Sequence, residues 1–307
     1  MALETNRLRI QKQLFLRILF SMSTLTIATV AHAVPTLEKI AKSGTINLGY
    51  RESVLPFSYL DDNKRPIGYS IDLCLKIAEA VKRELKRTDL TIKYVSVNNA
   101  DTRLKALNSG EIDLECGSTN ASPERRKLAD FTIPTFIAAT RLLVRSDSGI
   151  KSIYDLNEKT VVTTKATTQE KLFADLNTRN TLRAKQVSGK SHDESFSLLE
   201  SGKADAFMLN DVLLASVRAT SKTPDQYILT RDPLTIDPLA IMLRKDDVAF
   251  KKVVSAEIHR IITQGEINAL YRKWFESPIP PKQINFKLPM SYLLRDSFKA
   301  PTDWLPN

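Results

Sequence analysis

The residues from Ser118 to Arg125 combine groups that bind anions with a predicted helix start. The segment "GSTNASPERR" follows the strand-like stretch "EIDLEC" and carries hydroxyl and amide side chains before a helical pattern begins. Backbone N–H groups at the start of a helix lack partners within that helix, and they favour an anion. The guanidinium group of Arg125 can add a bidentate contact that matches the two oxygens of a carboxylate. The pattern therefore predicts an anion site at this turn.

Other polar side chains stand where one predicted element gives way to the next. Arg51 ends the first predicted strand, and Thr167 and Thr168 precede a predicted helix. The two hydroxyls can cradle a second anion, and the alternative is an ordinary helix cap, for which threonine is well suited. The sequence has no phosphate-binding loop, no GxGxxG, no HExxH and no Cys-His metal spacing. We therefore expect no cofactor and no bound metal.

The elements that must position these residues alternate between strands and helices. The stretches "TINLGYR", "SIDLCLKIAEAVKREL", "LTIKYVSV", "ADTRLKALNSG" and "EIDLECG" indicate strand, helix, strand, helix and strand in that order. This alternation predicts a doubly wound parallel sheet covered by helices, with a ligand crevice at the carboxyl ends of the strands. The same rhythm starts again after residue 143. Two consecutive α/β units predict two lobes that face each other across a cleft.

The composition is that of a globular protein with a basic charge. The 307 residues are 42% hydrophobic and 26% charged, and the formal net charge is +10. Lysines and arginines are spread along the chain, and neither a basic arm nor an aromatic RNA-binding motif is present. We therefore expect no nucleic acid partner, and the basic balance favours an anionic small molecule.

The first 33 residues form a predicted signal peptide. A basic start is followed by the apolar stretch "LFSMSTLTIATVA" and by a small-x-small cleavage site that ends at Ala33. No later stretch approaches the roughly twenty apolar residues that a membrane span needs. Removal of the peptide lowers the formal charge from +10 to +7, because four basic and one acidic side chain are lost. We expect a soluble periplasmic chain that begins near Val34.

Cys74 and Cys116 are the only cysteines of the chain. In an oxidising compartment this even number permits one disulfide. Cys74 lies on the apolar face of a predicted helix and Cys116 ends a predicted strand, so two buried free thiols are the alternative. The sequence leaves both states open.

Several stretches of the chain carry a family resemblance. They include "LEKIAKSGTINLGYRESVLPFSY", "GYSIDL", "ECGST" followed by "ERRKLADF", "SHDESFSLLESGKADAFML" and "WFESPIPPKQINF". On these stretches, essentially the whole mature chain resembles the periplasmic glutamate/aspartate-binding proteins of ABC amino-acid importers, within solute-binding protein family 3. The resemblance implies a fold like that of type II periplasmic binding proteins, with two doubly wound α/β lobes joined by two crossover strands. Residues 34–140 and 237–307 would form the first lobe, and residues 141–236 the second.

The resemblance also implies a role for individual residues in the cleft. It assigns the α-carboxylate of an acidic amino acid to Ser118 and Arg125. It assigns the side-chain carboxylate of that ligand to Arg51, Arg103 and His192, with His192 closing down from the second lobe. A bound carboxylate would favour protonation of this histidine.

Two positions depart from the family pattern. Asn120 stands where the family has a second threonine, and Asn210 stands where an acidic residue pairs with the ligand ammonium. The neighbouring Asp211 is acidic, but adjacent side chains of a strand point to opposite faces. Three alternatives follow: a shift of the loop that lets Asp211 serve, neutral oxygens that hold the ammonium, or a ligand without an amine.

Three functions are compatible with these residues. The first is a monomeric binding protein that captures glutamate or aspartate, closes by a hinge motion and delivers the ligand to a membrane ABC permease. The second is a receptor for an amine-free dicarboxylate. The third is a periplasmic dehydratase of the cyclohexadienyl type, which needs a general acid in the cleft. Glu52 and Asp193 are candidates for that acid but fit equally well as surface carboxylates. We favour the first function and expect no enzymatic activity.

Overall fold

A computed structural model describes residues 34–180 and 182–303, so the predicted signal peptide over residues 1–33 lies outside the described residues. Strands and helices alternate along the described chain, as the sequence pattern predicted. The strands are β1 (Thr45–Tyr50), β2 (Ser53–Val54), β3 (Ser58–Leu60), β4 (Pro66–Ile67), β5 (Thr91–Ser96), β6 (Leu114–Glu115), β7 (Asp130–Phe131), β8 (Phe136–Arg145), β9 (Thr160–Thr164), β10 (Lys185–Gly189), β11 (Ala206–Asn210), β12 (Tyr227–Leu229), β13 (Thr235–Leu239) and β14 (Met242–Leu243). The α-helices are α1 (Thr36–Ser43), α2 (Tyr69–Glu84), α3 (Ala100–Ser109), α4 (Pro123–Arg126), α5 (Thr168–Asn180), α6 (His192–Glu200), α7 (Asp211–Thr220), α8 (Val248–Thr263), α9 (Glu266–Tyr271) and α10 (Tyr292–Ser297).

Five strands form the sheet of the first lobe, in the order β5-β1-β6-β14-β7. β1 is parallel to β5 and to β6, with Leu48 opposite Leu114. β14 comes from much later in the chain and runs antiparallel to both β6 and β7. Because β1, β5 and β6 are parallel, their carboxyl ends lie at one edge of the sheet, where a crevice is expected.

The sheet of the second lobe has the order β10-β9-β11-β8-β12, and β13 also pairs with β8. β9 is parallel to β10 and to β11, whereas β8 is antiparallel to β11, β12 and β13. The carboxyl ends of β9, β10 and β11 therefore lie at one edge, as in the first lobe. Each lobe thus presents one edge lined by the residues that follow its parallel strands.

The chain crosses twice between the lobes. β8 and β13 run side by side, with Thr140 opposite Thr235, and Leu239 at the end of β13 forms a bridge with Asn120 of the first lobe. These are the two crossover strands that the fold class implies. The predicted lobe boundaries, after residue 140 and after residue 236, fall within β8 and β13 respectively.

A cluster of buried aromatic rings anchors one crossover strand to the first lobe. Phe136, at the start of β8, packs against Phe57, Tyr271 and Phe275, with ring centroids 4.9 to 6.1 Å apart. Such ring pairs add about 0.5–1.5 kcal/mol each beyond the apolar area that they bury. The first residue of the crossover is therefore fixed to the first lobe. No helix in the described part of the chain is long and apolar enough to cross a membrane.

A disulfide joins Cys74 on α2 to Cys116 just after β6, with their Cα atoms 6.2 Å apart. Both side chains are fully buried. The structure therefore contains the bridge rather than the two free thiols that the sequence left as the alternative. The bond fixes α2 to the carboxyl end of β6. The next three residues, 117–119, form the "GST" turn.

We expect the Cys74→Ala/Cys116→Ala double variant to lose about 2–4 kcal/mol of the free energy of unfolding, because the bridge restricts the unfolded chain. The two cysteines are 42 residues apart in sequence. Urea unfolding of the oxidised protein, the reduced protein and the double variant measures the difference. A thiol assay on denatured, unreduced protein is the control, and thiols released without reductant would contradict the bridge.

Candidate functional site

A cleft between the two lobes brings together nine of the ten predicted ligand residues. The nine are Arg51, Arg103, Ser118, Asn120, Arg125, Thr167, Thr168, His192 and Asn210. They lie at the edges where the parallel strands of both sheets end, since Arg51 follows β1, Ser118 follows β6 and Asn210 ends β11. The cleft is therefore the crevice that the strand order predicts.

Three guanidinium groups and one buried carboxylate form the first-lobe wall of the cleft. Arg51 and Arg103 are buried, and Glu115 is fully buried with its Oε1 atom 3.5 Å from Nη1 of Arg103. Burial, together with the neighbouring Arg103, lowers the pKa of Arg51 to about 9 and that of Arg125 to about 10, although Glu115 raises both. Arg51 and Arg125 therefore stay charged near pH 7. The wall is short of negative charge, and a bound carboxylate would supply it.

Glu115 is held in place by its neighbours. The hydroxyl of Thr119 donates to its Oε2 atom at 2.6 Å. Gly117 comes so close that a Cβ atom at this position would collide with the Glu115 carboxylate and crowd Cγ of Arg51. The glycine of "ECGST" is therefore required by close approach. Two polar atoms here, Oε1 of Glu115 and Nε of Arg51, are buried without a hydrogen-bond partner.

Arg125 contacts both lobes from the turn that follows β6. Its Nη1 atom donates to the carbonyl oxygen of Asn120 at 3.3 Å, and its Nη2 atom donates to that of Ala166 in the second lobe at 3.4 Å. The predicted helix at this turn is the single turn α4, capped by the Ser122 side chain, because the chain proceeds directly to β7. The anion-binding capacity of the turn therefore rests on the Arg125 side chain more than on a helix dipole.

His192 enters the cleft from the first turn of α6, with Ser191 as the helix cap. Its ring is buried, and Nδ1 lies 3.0 Å from the hydroxyl oxygen of Thr164. Burial, followed by the charges of Arg51 and Arg103, lowers the pKa of His192 to about 3. The ring is therefore neutral near pH 7 and offers a hydrogen bond rather than a charge.

The two threonines at the start of α5, Thr167 and Thr168, make local contacts through their hydroxyl groups. The hydroxyl of Thr167 donates to the carbonyl oxygen of Thr164 at 2.6 Å and accepts from the backbone N–H of Glu170 at 3.2 Å. This is the capping role that the sequence analysis gave as the alternative. Thr168 lies 3.5 Å from Nδ2 of Asn120, which is a second contact between the lobes.

A buried carboxylate that sequence reasoning missed lies behind the two asparagines. Asp237 on β13 accepts from Nδ2 of Asn120 at 2.9 Å and from Nδ2 of Asn210 at 2.7 Å. The hydroxyl of Thr140, on the paired strand β8, also donates to it, at 2.5 Å. An acidic residue inside the otherwise apolar stretch "TIDPL" is the one sequence signal, but only the register of β13 on β8 brings it to the cleft.

Asp211, the tenth predicted residue, does not line the cleft. It begins α7, where its carboxylate accepts from the backbone N–H groups of Ala139 and Val212 at 3.1 and 2.8 Å. The same carboxylate lies 3.7 Å from Nε of Arg141. These partners lie on β8 and in α7, and none of them lines the cleft.

Other lining residues were also missed by the sequence analysis. Asn98 and Asn99 follow β5, Thr164 ends β9 and Lys190 follows β10. All occupy the carboxyl ends of parallel strands, the same signal that pointed to Arg51. Applying that rule to every predicted strand would have found them.

The buried neutral ring of His192 predicts a particular dependence of stability on pH. An unfolded histidine titrates near pH 6.5, and His192 in the folded chain titrates near 3, so between these values the unfolded state binds more protons. The free energy of unfolding therefore falls as the pH is lowered through this window. Between pH 6 and 4, we expect the free energy of unfolding of the ligand-free protein to fall more steeply than that of His192→Gln. The difference should be up to about 1.4 kcal/mol per pH unit.

Urea unfolding at the two pH values measures this difference. His259→Gln is the matched control, because His259 is exposed on α8, and it should behave as the unmodified chain does. The same pH dependence in all three proteins would show that the His192 ring is not held neutral by burial.

Comparisons with known proteins agree with this geometry. The family model of bacterial extracellular solute-binding proteins, family 3, matches residues 46–277. The L-glutamate/L-aspartate-binding protein of Pseudomonas aeruginosa is 44% identical over 269 residues, which cover 87% of this chain and 89% of that protein. The glutamate/aspartate import solute-binding protein of Escherichia coli is 42% identical over 268 residues, which cover 87% and 88% respectively.

A solved structure shares the fold. The ancestral amino acid-binding protein AncCDT-1, described as a precursor of cyclohexadienyl dehydratase, has a TM-score of 0.66 and 28% identity, over 78% of this chain and all of that one. The two doubly wound lobes and their crossovers are those of a type II periplasmic binding protein. On its sequence and its fold, the chain belongs to the bacterial extracellular solute-binding proteins, family 3.

Proposed function

We propose that this protein captures L-glutamate or L-aspartate in the cleft and delivers it to the permease of an ABC importer. The observation that carries the proposal is the charge of the site. Three buried or half-buried guanidinium groups, on Arg51, Arg103 and Arg125, stand against the two buried carboxylates of Glu115 and Asp237. The excess of positive charge, to which Lys165 and Lys190 at the rim add, favours a ligand with a net negative charge, such as an acidic amino acid near pH 7.

The positions of the cations suggest how such a ligand is oriented. Arg125 and Ser118, on the "GST" turn, would hold the α-carboxylate, with the guanidinium fork matching its two oxygens. Arg51, Arg103 and the neutral ring of His192 would hold the side-chain carboxylate. The names of the relatives in Pseudomonas aeruginosa and Escherichia coli support this choice of ligand.

Ligand capture would favour closure of the lobes. Arg51 belongs to the first lobe and His192 to the second, so a ligand that contacts both residues is held more tightly in the closed form. The contacts of Arg125 with Ala166 and of Asn120 with Thr168 already span the cleft. Delivery to a permease would then follow from recognition of the closed form.

A binding role is favoured over catalysis by the position of the candidate acids. Glu52 and Asp193 are both exposed, and they line the mouth of the cleft rather than its interior. The structural relative described as a dehydratase precursor is itself an amino acid-binding protein. We therefore propose that the protein has no enzymatic activity.

The cell compartment and the chain organisation complete the proposal. We place cleavage near Ala33 and the mature, monomeric chain in the periplasm, where an oxidising environment would preserve the bridge between Cys74 and Cys116. The lobes would comprise residues 34–140 with 237–307, and residues 141–236.

The proposal is tested by calorimetric titration of refolded, ligand-free mature chain with L-glutamate, L-aspartate, L-glutamine and succinate. We expect tight binding of glutamate or aspartate and weak binding of glutamine, because an amide leaves the cations around Arg51 unpaired. Arg125→Ala should weaken binding at least about 100-fold, since a bidentate ion pair is lost. Arg125→Lys should recover only part of the affinity, because it keeps the charge and loses the fork.

Arg126→Ala is the matched control, since Arg126 is the adjacent arginine and does not line the cleft. It should bind as the unmodified chain does. Glutamine binding as tight as that of glutamate would contradict the ligand class. An unchanged affinity of Arg125→Ala would contradict the assignment of the α-carboxylate.

A further inference from the structure

We propose that Asp237 supplies the negative charge that selects a ligand with an ammonium group, acting through the amides of Asn120 and Asn210. This inference rests on the proposed function, because it concerns the same cleft and an amino acid ligand. Asp237 is then a positioning and specificity-determining residue that acts through Asn120 and Asn210 without touching the ligand.

The first support is the orientation of the two amides. Each asparagine donates its Nδ2 group to Asp237, at 2.9 Å from Asn120 and 2.7 Å from Asn210. The carbonyl oxygen of each amide is thereby left to other partners, because an amide presents donors on one side and acceptors on the other. Both asparagines line the cleft. By accepting from both Nδ2 groups, Asp237 fixes the orientation of the two amides. Their oxygen atoms are then available as acceptors.

The second support is a buried hydrogen-bond acceptor that has no donor. Oδ1 of Asn120 is buried without a hydrogen-bond partner. A buried polar atom in this state is unfavourable unless a ligand or water completes it. An ammonium group has three donors and no acceptor, so it fits a site that offers carbonyl oxygens.

The third support is the charge of Asp237 itself. Two other carboxylates of this region each have an arginine partner within 4.0 Å. Glu115 is 3.5 Å from Arg103, and Asp211 is 3.7 Å from Arg141. Asp237 is 6% exposed, and no lysine, arginine or histidine nitrogen of the described residues lies within 4.0 Å of it. Its hydrogen bonds come from neutral donors, and its charge interacts with that of Arg125 from beyond 4.0 Å, so a ligand ammonium would bring a second positive charge to the same carboxylate.

This arrangement accounts for the departure at Asn210. Where the family resemblance implies an acid that touches the ammonium, this chain has an amide with an acid directly behind it. Two unit charges about 6 Å apart attract enough, at an effective dielectric constant near 20, to change an equilibrium constant up to about 100-fold. The charge can therefore act without direct contact.

A purely structural role for Asp237 is the competing explanation. Its carboxylate ties the "GST" turn, the end of β11 and Thr140 of β8 together, and the hydroxyl of Thr235 and the amide of Gln169 lie near it as well. Loss of such a tie would weaken every ligand equally. Loss of an ammonium partner would weaken only ligands that carry the amine.

The experiment compares L-glutamate with glutarate, which has the same two carboxylates and no amine. Calorimetry gives the ratio of the two dissociation constants for the unmodified chain and for the isosteric variant Asp237→Asn. We expect the unmodified chain to prefer glutamate, and the variant to lose about 10- to 100-fold of that preference while its affinity for glutarate is kept. The double variant Asp237→Asn/Asn210→Asp returns the charge beside the ammonium and should restore the preference.

Asp205→Asn is the matched control, since Asp205 is a half-buried carboxylate of the second lobe that accepts from the backbone N–H of Thr160 at 2.7 Å, away from the cleft. It should leave the ratio unchanged. If Asp237→Asn does not fold, Asn210→Ala removes one relay while Asp237 stays, and it must lower the same ratio. An unchanged ratio in that variant overturns the inference.

The outcomes separate this inference from the proposed function. Equal loss of glutamate and glutarate in Asp237→Asn identifies a structural tie and overturns the inference, while the proposed function stands. If Asp237→Asn binds glutamate and the ratio of the two dissociation constants is unchanged, the inference is also overturned and the proposed function stands. An unmodified chain that binds glutarate and not glutamate overturns both.

Discussion

Positive charge held away from water is the constraint on which the rest of this structure depends. Arg51, Arg103 and Arg125 crowd one wall of the cleft, and burial lowers the pKa of Arg51 and Arg125. Buried charges persist only where their surroundings hold them in good geometry. The parallel strands β1 and β6, the close approach at Gly117 and the bridge between Cys74 and Cys116 all converge on this wall, and each keeps Glu115 among the guanidinium groups.

The second lobe contributes mainly uncharged polar groups to the interior of the cleft. His192 is uncharged near pH 7, and Thr164, Thr168 and Asn210 contribute hydroxyls and an amide. Exposed Lys165 and Lys190 lie at its rim. Under the proposed function, closure would bring dipoles rather than further buried ions against a ligand, which would limit the desolvation that closing requires. The first lobe supplies most of the buried positive charge, and the second lobe supplies neutral hydrogen-bonding groups.

Much of this site was predictable from the sequence, because strand and helix periodicity located the carboxyl ends where Arg51 and Asn210 stand. Residue types and spacing pointed to Arg125, and the family resemblance pointed to Arg103 and His192, all of which line the cleft. Two features needed the tertiary structure. The helix after Pro123 is one turn long because β7 follows at once, and Asp237 reaches the cleft only through the pairing of β13 with β8. Neither depends on a local sequence pattern.

The place of β14 in the first sheet determines the order in which the chain can be completed. β14 lies between β6 and β7, although it follows them by more than a hundred residues and comes after the whole second lobe. Until it arrives, β6 is an open sheet edge and β7 has no neighbour, which is an aggregation hazard. The inserted lobe can assemble from contiguous sequence, whereas the first lobe has to wait. A chain released progressively from its amino end would thus complete the sheet of its first lobe only after the whole second lobe has emerged.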